Sequence, residues 1–529
     1  MRMNCLKIIL LLLLSVAVVP VAWAQRIITY ESGMGTRDRD NPDVWILYNK
    51  VKASHEGMTL YTDSASFDTK LNIFIAHRKV KIVISDTTTL FGESAVYDGT
   101  IRVAEVWGDT VMLVDGRTVL KTDELSYDRN SNMAAYYHWG HTTHDSTTLD
   151  SRKGFYYTDS RDLYLYDDVL LQDSNSWLET DSLHYNTRSC MALFSSPTFI
   201  YSDSSTVYSE QGSYNTDSHV ARSFKATHLT NRERWLTADT LYFDNDAEHG
   251  EAFGHVVICD TLNEVTCTGR VGITDQKDHF SFVTDSALIV YVEEGDSVFM
   301  HADTIWAYNN EDQEFEAAKA YRGVRVYRHD AQAVCDSLYF SAPDSLVTLY
   351  YSPVVWYEDY QCSADTVLCR YDSNGVNLIR LRSNMFAIEK VDSLKYSQLK
   401  GHNADVYCQD SEPRYADILG SARMVYYVLD EEGDRRELLG VNCGVGSDMR
   451  IYFKDRKPNR VTTFGSPDMK MYPPDKLPAD ERCLQGFDWK EALRPHAAME
   501  VFGPAVPSGT EAIPATEPAG TVEKKALSD

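Results

Sequence analysis

Apolar and polar residues alternate along most of this chain. In Thr180-Asp181-Ser182-Leu183-His184-Tyr185-Asn186, the period of two puts Asp181, Leu183 and Tyr185 on one face of a predicted strand. Ser182, His184 and Asn186 fall on the other face. Leu125/Tyr127, Leu241/Phe243, Leu338/Phe340 and Ala65/Phe67 repeat the pattern. Each such run ends in Asp or Asn with polar neighbours, which is turn chemistry. A second strand follows, then a breaker and another apolar run, as in Trp107-Gly108-Asp109-Thr110-Val111, Phe253-Gly254-His255-Val256 and Tyr321-Arg322-Gly323-Val324. Helical spacing is nearly absent between residues 44 and 470, so the body is predicted to be all β.

The alternation recurs as a phrase. Thr62-Asp63-Ser64-Ala65-Ser66-Phe67-Asp68 returns as Gly92-Glu93-Ser94-Ala95-Val96-Tyr97-Asp98 and as Thr122-Asp123-Glu124-Leu125-Ser126-Tyr127-Asp128. The acidic anchors fall at positions 63, 93, 123, 181, 239, 303, 336 and 365, with gaps of 30, 30, 58, 58, 64, 33 and 29. The larger gaps hide degenerate copies near Gly154-Phe155-Tyr156-Tyr157, Gly212-Ser213-Tyr214-Asn215 and Gly269-Arg270-Val271. One such unit cannot bury its own apolar face, so neighbouring copies must stack and share a core. The expected fold is an elongated stack of antiparallel strands, either a curved two-sheet roll or a solenoid, each copy adding one rung. Residues 44–410 carry the repeats, with room for two consecutive jellyroll segments, and 411–472 the final strands. Residues 25–43 read as a leader without strands. Residues 473–500 read as a C-terminal cap in which Ala479 to Leu493 form a short helix on the last rung. From 501 to 529 Pro, Ala, Gly, Thr and Glu dominate, as in a disordered tail.

Composition narrows the function. Of the 529 residues, 51 are Lys or Arg and 78 Asp or Glu, a net charge of −27. That balance argues against nucleic acid and against anionic lipid surfaces as partners. Residues 1–24 read as a signal peptide. Arg2 and Lys7 precede an aliphatic stretch from Ile8 to Val19, and Ala22-Trp23-Ala24 offers a cleavage site that leaves Gln25 first. The aliphatic stretch is too short to span a bilayer. The protein is therefore expected to be secreted and soluble. Nine cysteines remain after such cleavage, scattered and odd in number. Free buried thiols are expected over bridges between Cys259 and Cys267 or between Cys362 and Cys369.

The phrase x-[Ala/Thr]-Asp-[Ser/Thr]-[Ala/Leu]-x-[Tyr/Phe]-[Asp/Asn], followed by a strand and Gly-x-Val, resembles the LptA/OstA family of lipopolysaccharide-transport proteins. Residues 53–68, 85–98 and 115–128 match best, and fainter copies run to about residue 410. The resemblance implies an elongated all-β repeat β-jellyroll or solenoid of stacked antiparallel strands in the periplasm or associated with the outer membrane, an open apolar groove holding acyl chains, and strand edges that pair with other envelope transport components or head to tail with another copy. The chain is longer than a single bridge subunit, yet lacks the amphipathic membrane strands of an outer-membrane barrel after its repeats. Bridge and accessory roles both stay open. Phe67, Tyr97, Tyr127, Tyr185, Phe243 and Phe340 are the candidate lining of the groove, which would shield a lipid's acyl chains from water.

Other chemistries find little support. Aspartates that recur once per copy do not make one active site, and strand-end hydrogen bonding accounts for them better. His138, His141 and His144 alternate faces of an exposed polar strand and cannot chelate together. Asp430-Glu431-Glu432-Gly433-Asp434 reads as a hairpin turn rather than a calcium loop. No catalytic motif, metal site or cofactor is expected. Two functions remain: a non-enzymatic carrier of lipopolysaccharide or a related glycolipid, and a structural or carbohydrate-binding repeat protein whose aromatics stack on sugars.

Overall fold

The computed structural model describes residues 27–503, apart from 175, 203–204, 232–233, 263, 294–295, 312–313 and 433–434. The expected signal peptide, the tail beyond residue 503 and the centre of the 430–434 turn lie outside the described residues. Apart from three short 3-10 turns, the regular structure among those residues is antiparallel β-strand. No helix among them is long and apolar enough to cross a membrane. The chain divides into two compact units at Lys225/Ala226.

In the first unit, Val44–His55, Met58–Asp68, Ile73–Val83, Thr88–Asp98, Val103–Asp115 and Thr118–Asp128 pair each with the next. Asp and Asn at strand ends make the turns as expected. Asp68 Oδ1 accepts the amides of Lys70 and Leu71 at 2.9 Å, and Asn186 Oδ1 those of Arg188 and Ser189. The thirty-residue beat spans two strands rather than one, because the acidic anchor marks only alternate strands. Each copy therefore adds two neighbours to the ladder.

Every long strand bends once at mid-length, and the bend explains the anchor. Between Tyr48 and Val51 the ladder slips, and Asn49 and Lys50 both take positive φ (66° and 56°). The neighbouring strand spends one residue fewer at the same place, so this is a bulge that turns the sheet into two facing walls. Arg78/Lys79, Asp167/Asp168, Asp285/Ser286, Arg322/Gly323 and Ser383/Asn384 repeat the left-handed pair at later corners. On the strand between, Thr62 Oγ1 donates to the carbonyls of His77 (2.8 Å) and Arg78 (2.9 Å), which the slipped ladder leaves free. Asp63 points outward to Lys79 at 3.4 Å, and Asp239 likewise meets His255 at 2.8 Å. The anchors are corner residues, not strand-end residues. For the same reason Asp181 does not share the face of Leu183 and Tyr185: the bulge breaks the period there, so Thr180 is buried and Asp181 exposed.

Both chain ends depart from expectation. Thr29–Glu31 and Met34–Arg37 are strands that pair with Val44–His55, and Ile28 enters the core, so the leader forms part of the sheet. Ala479 to Leu493 holds two 3-10 turns, Ala479–Glu481 and Glu491–Leu493, and no α-helix. After Pro473-Pro474 this segment runs back over the outer face of one wall of the second unit. Three buried glutamines on three strands hold it, two through its backbone and one through a side chain. Gln398 bonds Arg482 O and Leu484 N (both 2.8 Å), Gln361 bonds Asp488 O (2.8 Å) and Lys490 N (2.7 Å), and Gln332 accepts Arg494 Nε at 2.7 Å. The segment is a strap rather than a cap on the last rung.

Candidate functional site

Bending every strand at a bulge creates a V between two walls, with apolar side chains facing inward from both. What fills the V differs between the units. In the first, burial is complete from corner to tip: Val111, Leu113 and Asp115 are 0, 1 and 2 % exposed along one strand. In the second, over the strands between Phe280 and Arg382, burial is complete only next to the corner. Ala302 is fully buried but Met300, one inward position further out, is half-buried, and the same step separates Ala287 from Ile289, Val324 from Val326 and Leu381 from Ile379. An apolar stripe on both walls of the second unit is thus left partly open toward its mouth.

The six expected lining residues divide along that line. Phe67, Tyr97, Tyr127 and Tyr185 are 0–2 % exposed in the closed core of the first unit. Phe67 packs edge-on against Tyr30 and beside Phe74. Phe340 is half-buried against the second unit's core, stacked near Phe315 and Tyr371, and Phe243 is half-buried on Thr240–Asp244. The sequence pattern did not single out Ile289, Met300, Val326, Ile379 and Val406. Period two marks an inward face, but nothing in it tells a closed face from an open one.

The tyrosines have a second feature. Their hydroxyls lie at the wall tips, where His55 Nδ1 bonds Tyr97 Oη at 2.7 Å, and Tyr156 and Tyr214 donate to Asp115 and Asp173. Burial raises the Tyr97 and Tyr156 hydroxyls above the usual range.

The remaining candidates stay separate. His141 bonds Asp150 at 2.6 Å, exposed His138 faces Asp123 at 3.8 Å, and His144 is buried against Thr118 at 2.9 Å. The three histidines do not converge, and His144 is not on an exposed strand as expected, because the walls close over its face. Asp296, His329 and Asp330 come close enough to hold an ion, but His329 bonds Asp296 at 2.7 Å and Arg328 grips Asp330 through two bonds. The nine cysteines are free; burial pushes Cys267 and Cys335 up to about 12 and Cys362 and Cys369 up to about 11, so they are inert as nucleophiles.

Comparison with known proteins places this architecture. The family model described as OstA-like protein matches residues 27–181 and 163–239. Among curated proteins no sequence matches. Among solved structures, the chain is similar to LptH of Pseudomonas aeruginosa, described as the LptA-homologous periplasmic component of a lipopolysaccharide transport device. The identity is 13 %, the match covers 27 % of this chain and 95 % of that one, and the TM-score is 0.21. Over residues 27–239, spanning the first unit and the opening strands of the second, this chain is thus similar to the OstA-like family.

Proposed function

We propose that this protein binds lipopolysaccharide or a related glycolipid in the periplasm and helps carry it toward the outer membrane, without catalysing a reaction. It would act as a bridge or accessory component. The observation that carries the reading is the half-open apolar stripe of the second unit. Met300, Val326, Phe340 and Ile379 lie on inward faces yet are not sealed, which suits a trough that shields acyl chains at about 0.8 kcal/mol per buried CH₂. The match of residues 27–239 to the OstA-like family model and the recurrence of the same corners in the second unit support this reading. The partners would be envelope transport proteins engaged through edge strands.

The sugar-binding alternative needs exposed ring faces. The outward aromatics Trp177 and Tyr201 stack on each other at 5.1 Å and 15°, which takes up one face of each ring. Mass spectrometry of gently purified full-length protein tests the proposal. Acyl-bearing glycolipid is expected to co-elute, and to be lost from a Phe340→Glu, Val406→Glu variant. Lipid-free protein after detergent-free extraction would overturn it.

A further inference from the structure

The two walls of the first unit meet at their tips through buried polar contacts that recur along the chain. In the first contact, His55 bonds Tyr97 at 2.7 Å, Arg102 pairs with Glu56 at 3.1 Å, and Arg129 donates to the His55 carbonyl at 2.8 Å. In the second, Asp115 accepts the Tyr156 hydroxyl at 2.8 Å and pairs with Arg161. Asp115 also takes the hydroxyls of Thr87 (3.1 Å) and Thr88 (2.9 Å) from its own wall. In the third, Asp173 accepts the Tyr214 hydroxyl at 2.5 Å. The tyrosines stand at 97, 156 and 214, two beats apart each time, so the contacts form a row along the mouth. In the second unit, the exposed pair Arg456 and Glu358 (3.3 Å) links the tips instead, a contact worth little in water.

We infer that these three clasps make the first unit a lateral gate: its walls are held shut when empty and part at the clasps to admit an acyl chain. The inference rests on the lipid-carrying reading above. At the corner the chain itself runs from one wall into the other, whereas the mouth is held by side chains. Side-chain bonds can be exchanged for bonds to water, whereas the continuous chain at the corner cannot part, so the clasped mouth is the seam that opens. A clasp also explains why Tyr rather than Phe stands at 97, 156 and 214, where a plain apolar core would gain nothing from the hydroxyl.

The test uses the full chain with Tyr97→Phe, Tyr156→Phe and Tyr214→Phe together, which keeps the rings and the arginine contacts and removes the bond of each tyrosine hydroxyl across the mouth. Leu113→Cys reports from inside the first unit and Phe340→Cys from the second. Alkylation by a maleimide is read at each site by peptide mass spectrometry, with and without purified lipopolysaccharide. The triple variant is expected to react roughly tenfold or more faster at Leu113→Cys, with protection by lipopolysaccharide, and at an unchanged rate at Phe340→Cys. An equal rate at Leu113→Cys, with protection at Phe340→Cys intact, overturns the gate alone. Absence of protection at both sites overturns the lipid reading and the gate with it. Should circular dichroism show the triple variant unfolded, Tyr156→Phe alone is subject to the same outcomes.

Discussion

Tyr136 shows how much a single residue decides in this fold. Its ring fills the space that a side chain at Gly140 or Gly154 would occupy, and its hydroxyl bonds Ser151 at 2.6 Å. Gly154→Val is therefore expected to overpack the first unit and lower its stability by roughly 2 kcal/mol in urea titration. Burial pushes the Tyr136 and Tyr185 hydroxyls up to about 12 from 10.0. Because the folded state then holds those protons more tightly than the unfolded chain, their contribution is complete below pH 10 and is lost as pH rises toward 12. Thermal melts across that range should show the melting temperature falling more steeply for the native chain than for Tyr136→Phe. The residue types at these places were legible in the sequence. Their roles were not, because Tyr97 and Tyr127 look identical to a lining residue until the opposite wall is in view.

At the scale of the element, the corner is the organising device. The sequence carried its signals, since Gly254-His255 and Arg322-Gly323 stood out as breakers and the Thr-Asp anchors as a beat. Period-two reasoning missed that these two signals face each other across one ladder rung, because a bulge shifts the phase by one residue. Gly254 sits at φ 73°, and a Cβ there would run into the Asp239 carboxylate. Gly254→Val should destabilise the second unit by roughly 1–3 kcal/mol, while Asp63→Ala at an exposed corner should cost under about 1 kcal/mol. The strap escaped notice because its anchors are mostly backbone groups, bonded by glutamines distant in sequence. Gln361→Ala removes two bonds to the strap and the Trp356 partner. Limited proteolysis should then cut between residues 484 and 494 faster, with the strands of both units still protected.

At the scale of the whole molecule, two units built by one rule present different interiors. The all-β architecture followed from periodicity, since strands with one apolar face must stack. Which interior is filled did not follow, because it depends on how closely the two walls approach at their tips. The first unit joins its tips with Asp115, Asp173 and their tyrosines; the second leaves Met300 and Ile379 half-open. The most direct measurement of the central claim is site-specific photocrosslinking in cells, with a photoreactive residue replacing Phe340 or Ile379 and, as contrast, outward-facing Tyr61 or Trp177. The account predicts lipopolysaccharide adducts from the first pair and none from the second. Adducts from neither pair, or from the outward positions alone, would contradict it.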